Sequence, residues 1–259
     1  PPQSAVENTE NMLAFPRGTT TGIMLHEILE NLNFAEVNET DLKTIVSDKL
    51  SNYKYDQIWL PAVEKMVKEL ITLPLGCSDA EFSLNMIAAK KCRKELEFYF
   101  PLQEITAGKI IHILERSSLY INNVLSMDDL YGQINFPLTR GYLKGFIDLV
   151  FEHEGKFYLA DWKSNYLGEN YAQYAPESLK KAMSRSSYVL QYFLYTVALH
   201  KYLQRRFKNY DYGKHFGGVY YIFLRGLNAQ AGNENGIYFD LPDYALIRQL
   251  DRLMLPADE

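Results

Sequence analysis

The sequence predicts an α/β protein: a mixed central β-sheet flanked by helices, with a mostly helical N-terminal part. Three observations carry this expectation. Apolar residues recur at helical spacing through the first 75 positions, the apolar period drops to two from Lys94, and strand-like runs beyond residue 140 alternate with helical ones. In order, a first helix begins where Thr19, Thr20 or Thr21 caps a run carrying Ile23, Ile28 and Leu29. Two more helical patterns cover Asp41 to Tyr53 and Asp56 to Leu73, before Pro74 and Gly76 interrupt. Leu96, Phe98 and Phe100 then alternate with Glu95, Glu97 and Tyr99, a half-buried strand that Pro101 closes. A helical stretch around Lys109 to Arg116 and a polar segment lead to Pro137. Strand-like runs Tyr142 to His153 and Lys156 to Lys163 follow, joined at Glu154-Gly155. A long amphipathic helix, Tyr188 to Phe207, precedes a last apolar strand, Val219 to Leu224. With no repeat and no linker, one domain over 1–259 is the economical expectation, helical in 1–93 and α/β in 94–259.

Composition narrows the function. With 47% hydrophobic residues the 259-residue chain can bury a full core, which excludes disordered and low-complexity classes. No apolar run approaches 18 residues and no leader pattern opens the chain, so a soluble, cytoplasmic protein without membrane partners is expected. The start at Pro1 without Met suggests a fragment of something longer. Cys77 and Cys92 are the two cysteines and have no companion ligands nearby, which rules out Cys-ligated zinc and iron–sulfur sites. The net charge of −5 hides an uneven distribution: Lys180 to Arg225 holds nine basic residues against one acid, Asp211. A basic region thus sits on an acidic body, although Lys201 to Lys208 are equally well read as the solvated end of a helix.

The chemistry concentrates in the hairpin. If Glu154-Gly155 is a two-residue loop, His153 faces Lys156, and Asp148 stands directly opposite Asp161 with Lys163 on the same face. Phe146, Val150 and Leu159 make the surroundings apolar, so two like charges destabilise the fold there unless a cation joins them. Two hard oxygen ligands suit Mg²⁺, with waters and phosphate oxygens completing its shell. The bland alternative is a salt-bridged surface patch of little energetic weight.

These residues lie within a longer pattern. Gly141-Tyr142-Leu143-Lys144-Gly145-Phe146-Ile147-Asp148-Leu149-Val150, then Asp161-Trp162-Lys163-Ser164-Asn165, then Gln191-Tyr192-Phe193-Leu194-Tyr195 resemble the RecB nuclease domain, a branch of the PD-(D/E)XK nucleases. The similarity continues through Tyr210-Asp211-Tyr212, His215-Phe216-Gly217-Gly218-Val219 and Phe223-Leu224-Arg225-Gly226, covering about residues 137–227 closely and the helical half through Gly22-Ile23-Met24-Leu25-His26.

The resemblance implies a restriction-endonuclease-like fold and a division of labour. Asp148, Asp161, His26 and the main-chain carbonyl of Trp162 would hold Mg²⁺ or Mn²⁺, with Glu97 a further candidate. Lys163 would orient or deprotonate the attacking water, making Lys163, Asp148 and Asp161 the catalytic set. Gln191, Tyr192, Tyr195, Arg225, Lys180, Lys181 and Arg185 would contact DNA. Simpler alternatives stay open: a satisfied helical histidine for His26, plain strand alternation for Glu97, core packing for Tyr192 and Tyr195, and an ordinary surface arginine for Arg225.

The implied activity is a Mg²⁺-dependent exonuclease acting on DNA, chiefly single strands from an unwound duplex, with endonuclease action on single strands as a further capacity. The implied setting is a helicase–nuclease for recombinational repair of double-strand breaks, with RecC-like and RecD-like subunits and a helicase preceding this domain on the same polypeptide. The chain has no G-x-x-x-x-G-K-[ST] loop, so ATP would serve motor domains elsewhere. The rival reading is a catalytically silent module for DNA binding or subunit docking, and a sequence-specific endonuclease of the same fold is a third.

Overall fold

A computed structural model describes residues 9–75, 82–117, 139–186, 188–232 and 234–254 of the chain. Gly76, Cys77 and Pro137 lie outside these residues. Five strands form one sheet in the order β1-β2-β3-β4-β5: β1 (Cys92–Ile105), β2 (Thr139–His153), β3 (Lys156–Lys163), β4 (Phe216–Phe223) and β5 (Ile237–Asp240). Neighbours run antiparallel except β3 and β4, which are parallel, so the sheet is mixed as expected.

The N-terminal layer contains α1 (Thr19–Asn31), α2 (Glu39–Asn52) and α3 (Leu60–Thr72). No threonine caps α1. Gly18, at φ 128°, occupies the N-cap, and the Thr21 hydroxyl lies inside the first turn, donating to the Pro16 carbonyl at 2.9 Å. Asn38 caps α2 by accepting from the Asp41 amide, which moves the start two residues ahead of the expected one. Asp56 caps a short 3₁₀ turn instead of α3, which starts at Leu60 with Pro61 in its first turn. These helices bury Leu25, Ile28, Leu42, Val46, Val63 and Val67 against Leu149, Phe151, Ala160 and Trp162 of the sheet.

Pro101 does not end β1. It stays in register opposite Tyr142, and a residue with no amide hydrogen is tolerated because β1 is an edge strand. Beyond β1, α4 (Ala107–Leu114) is capped by the Thr106 side chain. The second face of the sheet packs on α6 (Tyr188–Arg206), through Val150, Leu159, Tyr221 and Phe223 against Val189, Tyr192 and Phe193. Helix α5 (Pro176–Arg185), the one-turn α7 (Tyr212–His215), β5 and α8 (Tyr244–Met254) complete the described elements. Of these, α5, β5 and α8 escape the periodicity reading: β5 is four residues long, and α5 carries only Leu179, Met183 and Ser184 inward.

Candidate metal centre and its lysine

The hairpin of β2 and β3 turns at Glu154 (φ 49°) and Gly155 (φ 78°), the two left-handed residues of a tight turn whose twist matches the strands. His153 pairs with Lys156, and the register continues to Leu149 opposite Ala160. One step further the ladder stops. Asp148 and Asp161 occupy the next opposed positions, but Asp148 turns an oxygen onto the backbone amide of Trp162, accepting from it at 2.7 Å. On its other side, Asp148 lies between the pairs Lys94–Leu149 and Leu96–Ile147, opposite Glu95. Glu95 is held at φ 48°, a left-handed conformation in mid-strand.

Into this break in the ladders α1 delivers His26. Its Nδ1 lies 3.5 Å from an oxygen of Asp148, and its Nε2 donates to the Trp162 carbonyl at 3.0 Å. Gly22, one turn earlier, allows the approach, since a Cβ there would meet Ser164 Oγ at 3.0 Å. Ligand atoms of His26, Glu95 and Asp148 all lie within 4.8 Å of one another. They line an open cleft of about 430 Å³ together with Glu27, Glu30 and Ser164.

Asp161 is 2% exposed and faces α6, where its carboxylate meets Lys163 Nζ at 2.5 Å. Three aromatic residues and one amide fix that lysine. Gln191 Oε1 accepts from Lys163 at 3.0 Å and from the Tyr221 hydroxyl at 3.1 Å, while Gln191 Nε2 donates to the Tyr195 hydroxyl at 2.8 Å. The ammonium also lies 4.1 Å from the centre of the Tyr188 ring and 4.9 Å from that of Tyr221, both within cation–π range.

The electrostatics are those of a site short of positive charge. Burial and the neighbouring Asp148 push the Asp161 carboxyl up to about 7, against the opposing pull of Lys163 and His26. Burial, Asp148 and Glu30 raise Glu95. Burial alone would lower His26, but its hydrogen bond to Asp148, the charges of Asp148 and Asp161, and the Trp162 carbonyl together raise it. The acids around His26 thus favour its protonated form beyond that of an isolated imidazole. The donor set fits a hard divalent cation: carboxylates, one carbonyl and one imidazole.

Several expected site residues lie elsewhere. Glu97 stands opposite Phe146, not Asp148, and pairs with Lys144 at 2.9 Å on the open surface. Glu95 holds the position expected of Glu97, because the register of β1 on β2 aligns Glu95 with Asp148. Nothing in the sequence fixes that register, since the two strands are separated by more than thirty residues. Tyr192 is fully buried and its hydroxyl donates to Asp240 at 2.8 Å, so it packs instead of reaching DNA. Arg225 is 1% exposed, and its guanidinium donates to the carbonyls of Ser164, Met12, Phe15 and Pro16 at 2.7–2.8 Å. It ties the segment entering α1 to the end of β3 and has no face left for a phosphate. Gln191 and Tyr195 are half-buried; Gln191 accepts from Lys163 and donates to the Tyr195 hydroxyl. Lys180, Lys181 and Arg185 are exposed on α5, with Lys180 paired to Glu177 at 2.7 Å.

No family model matches the chain. It is 37% identical over 242 residues, 92% of its length, to RecBCD enzyme subunit RecB of Escherichia coli (strain K12). It is also 37% identical over 246 residues to the same subunit of Haemophilus influenzae, and 31% identical over 276 residues, 98% of the chain, to that of Mycobacterium tuberculosis strain H37Rv. The similarity therefore reaches well beyond residues 137–227, into the helical layer that carries His26. The chain spans about a fifth of the length of the first relatives it matches, 19% of the Escherichia coli subunit.

Proposed function

The chain belongs to the RecB family over the segment that it shares with those subunits, and from that premise we propose that it is a single metal-dependent deoxyribonuclease domain hydrolysing phosphodiester bonds. The observation that carries this reading is the junction of two groups at one break in the sheet: the His26–Glu95–Asp148 cluster, and the buried Asp161–Lys163 pair behind it. A docking module has no use for a lysine held by an amide and two ring faces beside three acids.

His26, Glu95, Asp148, Asp161 and the Trp162 carbonyl would hold the divalent ion, Mg²⁺ in the cell and Mn²⁺ equally well in the test tube. When bound, that ion supplies Lewis-acid polarisation of a phosphate oxygen and a lowered pKa for its water. The protein's own residues do the rest. Lys163, fixed by Gln191 and Asp161, presents a positive charge where charge develops on phosphate and orients the attacking water. Tyr188 and Tyr221 keep solvent from that ammonium. Asp148, anchored by the Trp162 amide, is aimed before any ligand arrives.

In this reading the substrate is DNA, delivered as single strands. The setting is a recombination and repair assembly with RecC-like and RecD-like subunits and a helicase on the same polypeptide. The test is to incubate the purified chain with end-labelled single-stranded and circular DNA, with and without Mg²⁺. Short oligonucleotides that appear only with Mg²⁺ support the reading. Calorimetry with Mn²⁺ separates the silent-module alternative: a binding heat that disappears in Asp161→Ala is expected, and its absence from the unsubstituted chain would sink the metal centre. Lys163→Ala should abolish cleavage while leaving that heat nearly unchanged.

A further inference from the structure

The basic residues concentrated in the second half of the sequence meet unexpected partners in three dimensions. At the end of the sheet near the β2–β3 turn, Lys90 and Lys91 from the turn before β1, Arg93 of β1 and Arg206 at the end of α6 line one cleft of about 340 Å³. All four side chains are exposed. The acid among the lining residues, Glu152, is paired with Lys91 at 2.9 Å. Three basic side chains therefore remain to set the charge of a cleft on a protein whose net charge is −5. Such local excess is the footprint of a polyanion site.

The rest of the lining is aromatic and apolar. Phe157 and Phe207, with ring centres 5.1 Å apart, lie at one side with Tyr202, and Phe207 is 46% exposed. One exposed ring, Phe207, beside the half-buried Phe157 and Tyr202 and among basic side chains, suits unpaired bases more than a protein's acidic segment, because bases stack where carboxylates do not.

The position of the cleft relative to the acids decides its use. Arg93 and Leu96 line it, while Glu95, between them on the same strand, lines the cleft of the candidate metal centre. Arg93 and Glu95 are two residues apart on β1, so the two clefts adjoin along that strand. Among the described residues β1 is an edge strand of the sheet, with no further strand paired on its outer side.

We infer that the Lys90–Arg93–Arg206 cleft binds the phosphate backbone of single-stranded DNA and feeds the strand over the β1 edge to the acidic cluster. The inference deepens the nuclease reading, yet its test requires no cleavage. Binding of a fluorescein-labelled oligothymidylate is followed by anisotropy in EDTA, over a series of salt concentrations. The triple substitution Lys90→Gln, Arg93→Gln, Arg206→Gln is expected to weaken binding about tenfold or more at low salt. It should also reduce the slope of log affinity against log salt by about 2, at roughly 0.7 for each phosphate no longer neutralised. A matched variant on the helical layer, Lys43→Gln, Lys54→Gln, Lys65→Gln, changes net charge equally and should stay within twofold of the unsubstituted protein.

Unaltered binding in the first variant overturns the inference, as does equal weakening in both. A labelled oligoglutamate peptide provides a further arm: if the peptide binds the unsubstituted protein and not the first variant, while DNA binding persists in both, the cleft takes an acidic protein segment and the inference falls. Mn²⁺ calorimetry on the same variant should match the unsubstituted protein, so failure of this cleft and failure of the metal centre are told apart.

Discussion

Glu95 and Glu97 share a strand, a face by alternation and a side-chain type, and differ in backbone conformation and in what lies across the ladder. Glu95 meets Asp148 and His26, whereas Glu97 meets Phe146 and Lys144. Glu95→Gln is accordingly expected to weaken Mn²⁺ binding by about tenfold, while Glu97→Gln leaves it unchanged; calorimetry on both variants checks this, and equal effects would remove Glu95 from the ligand set. Arg225 makes a different demand. Replacing it by Leu leaves four main-chain carbonyls without their donor in a buried position, at a cost on the order of 3 kcal/mol. Urea denaturation measures that cost, and a midpoint unchanged from the parent would show the clamp to be idle. At this scale the sequence was legible where a turn set the geometry. Two-residue hairpins leave one register, so the pairing from His153–Lys156 to Leu149–Ala160 could be read directly, as could the shared face of Asp161 and Lys163; beyond that pair the ladder stops, and Asp148 turns to His26 and Glu95 while Asp161 turns to Lys163. Glu95, Tyr192 and Arg225 could not be read, because their surroundings come from segments far away in the chain.

The elements assemble the site through a few fastenings between them. Lys94 is one of these: its Nζ donates to the carbonyls of Leu29 at 2.8 Å, Glu30 at 3.0 Å and Leu32, and lies 4.3 Å from the centre of the Phe34 ring. Cations are favoured at a helix C-terminus, and this one also joins α1 to the strand residue next to Glu95. Lys94→Met should therefore loosen His26 against Glu95 and lower Mn²⁺ affinity. Leu42→Ala, a comparable destabilisation within the helical core, should not. NMR of the His26 ring in both metal-free variants is the check, and an undisturbed ring signal in Lys94→Met would refute the fastening. Long periodic elements such as α6 were readable because apolar residues recur along their inner faces at helical spacing, in α6 Val189, Phe193, Val197 and Leu203, even though Thr196, His200 and Lys201 are buried with them. Short pieces were not: β5 is defined by its pairing with β4 and not by its own pattern.

For the whole molecule, the proposed metal centre sets protons and a divalent ion in competition for the same acids. In the metal-free fold Asp161 titrates at about 7, above its ordinary value, so its contribution favours the fold below the usual carboxylate range and is lost as pH rises through about 7. His26, also raised, must shed its proton before it can act as a ligand. Added Mn²⁺ should consequently raise the melting temperature more at pH 8 than at pH 5.5; an equal rise at both values would show that these acids are not the ligands. No helix among the described residues is long and apolar enough to cross a membrane, and the acidic body needs local basic surface to hold a polyanion.

His26 rides on one layer, Glu95 and Asp148 on the strands, and Lys163 answers to a helix on the opposite face. The candidate site is consequently complete only once all three layers have come together. On the proposed nuclease reading, a half-folded copy cuts nothing.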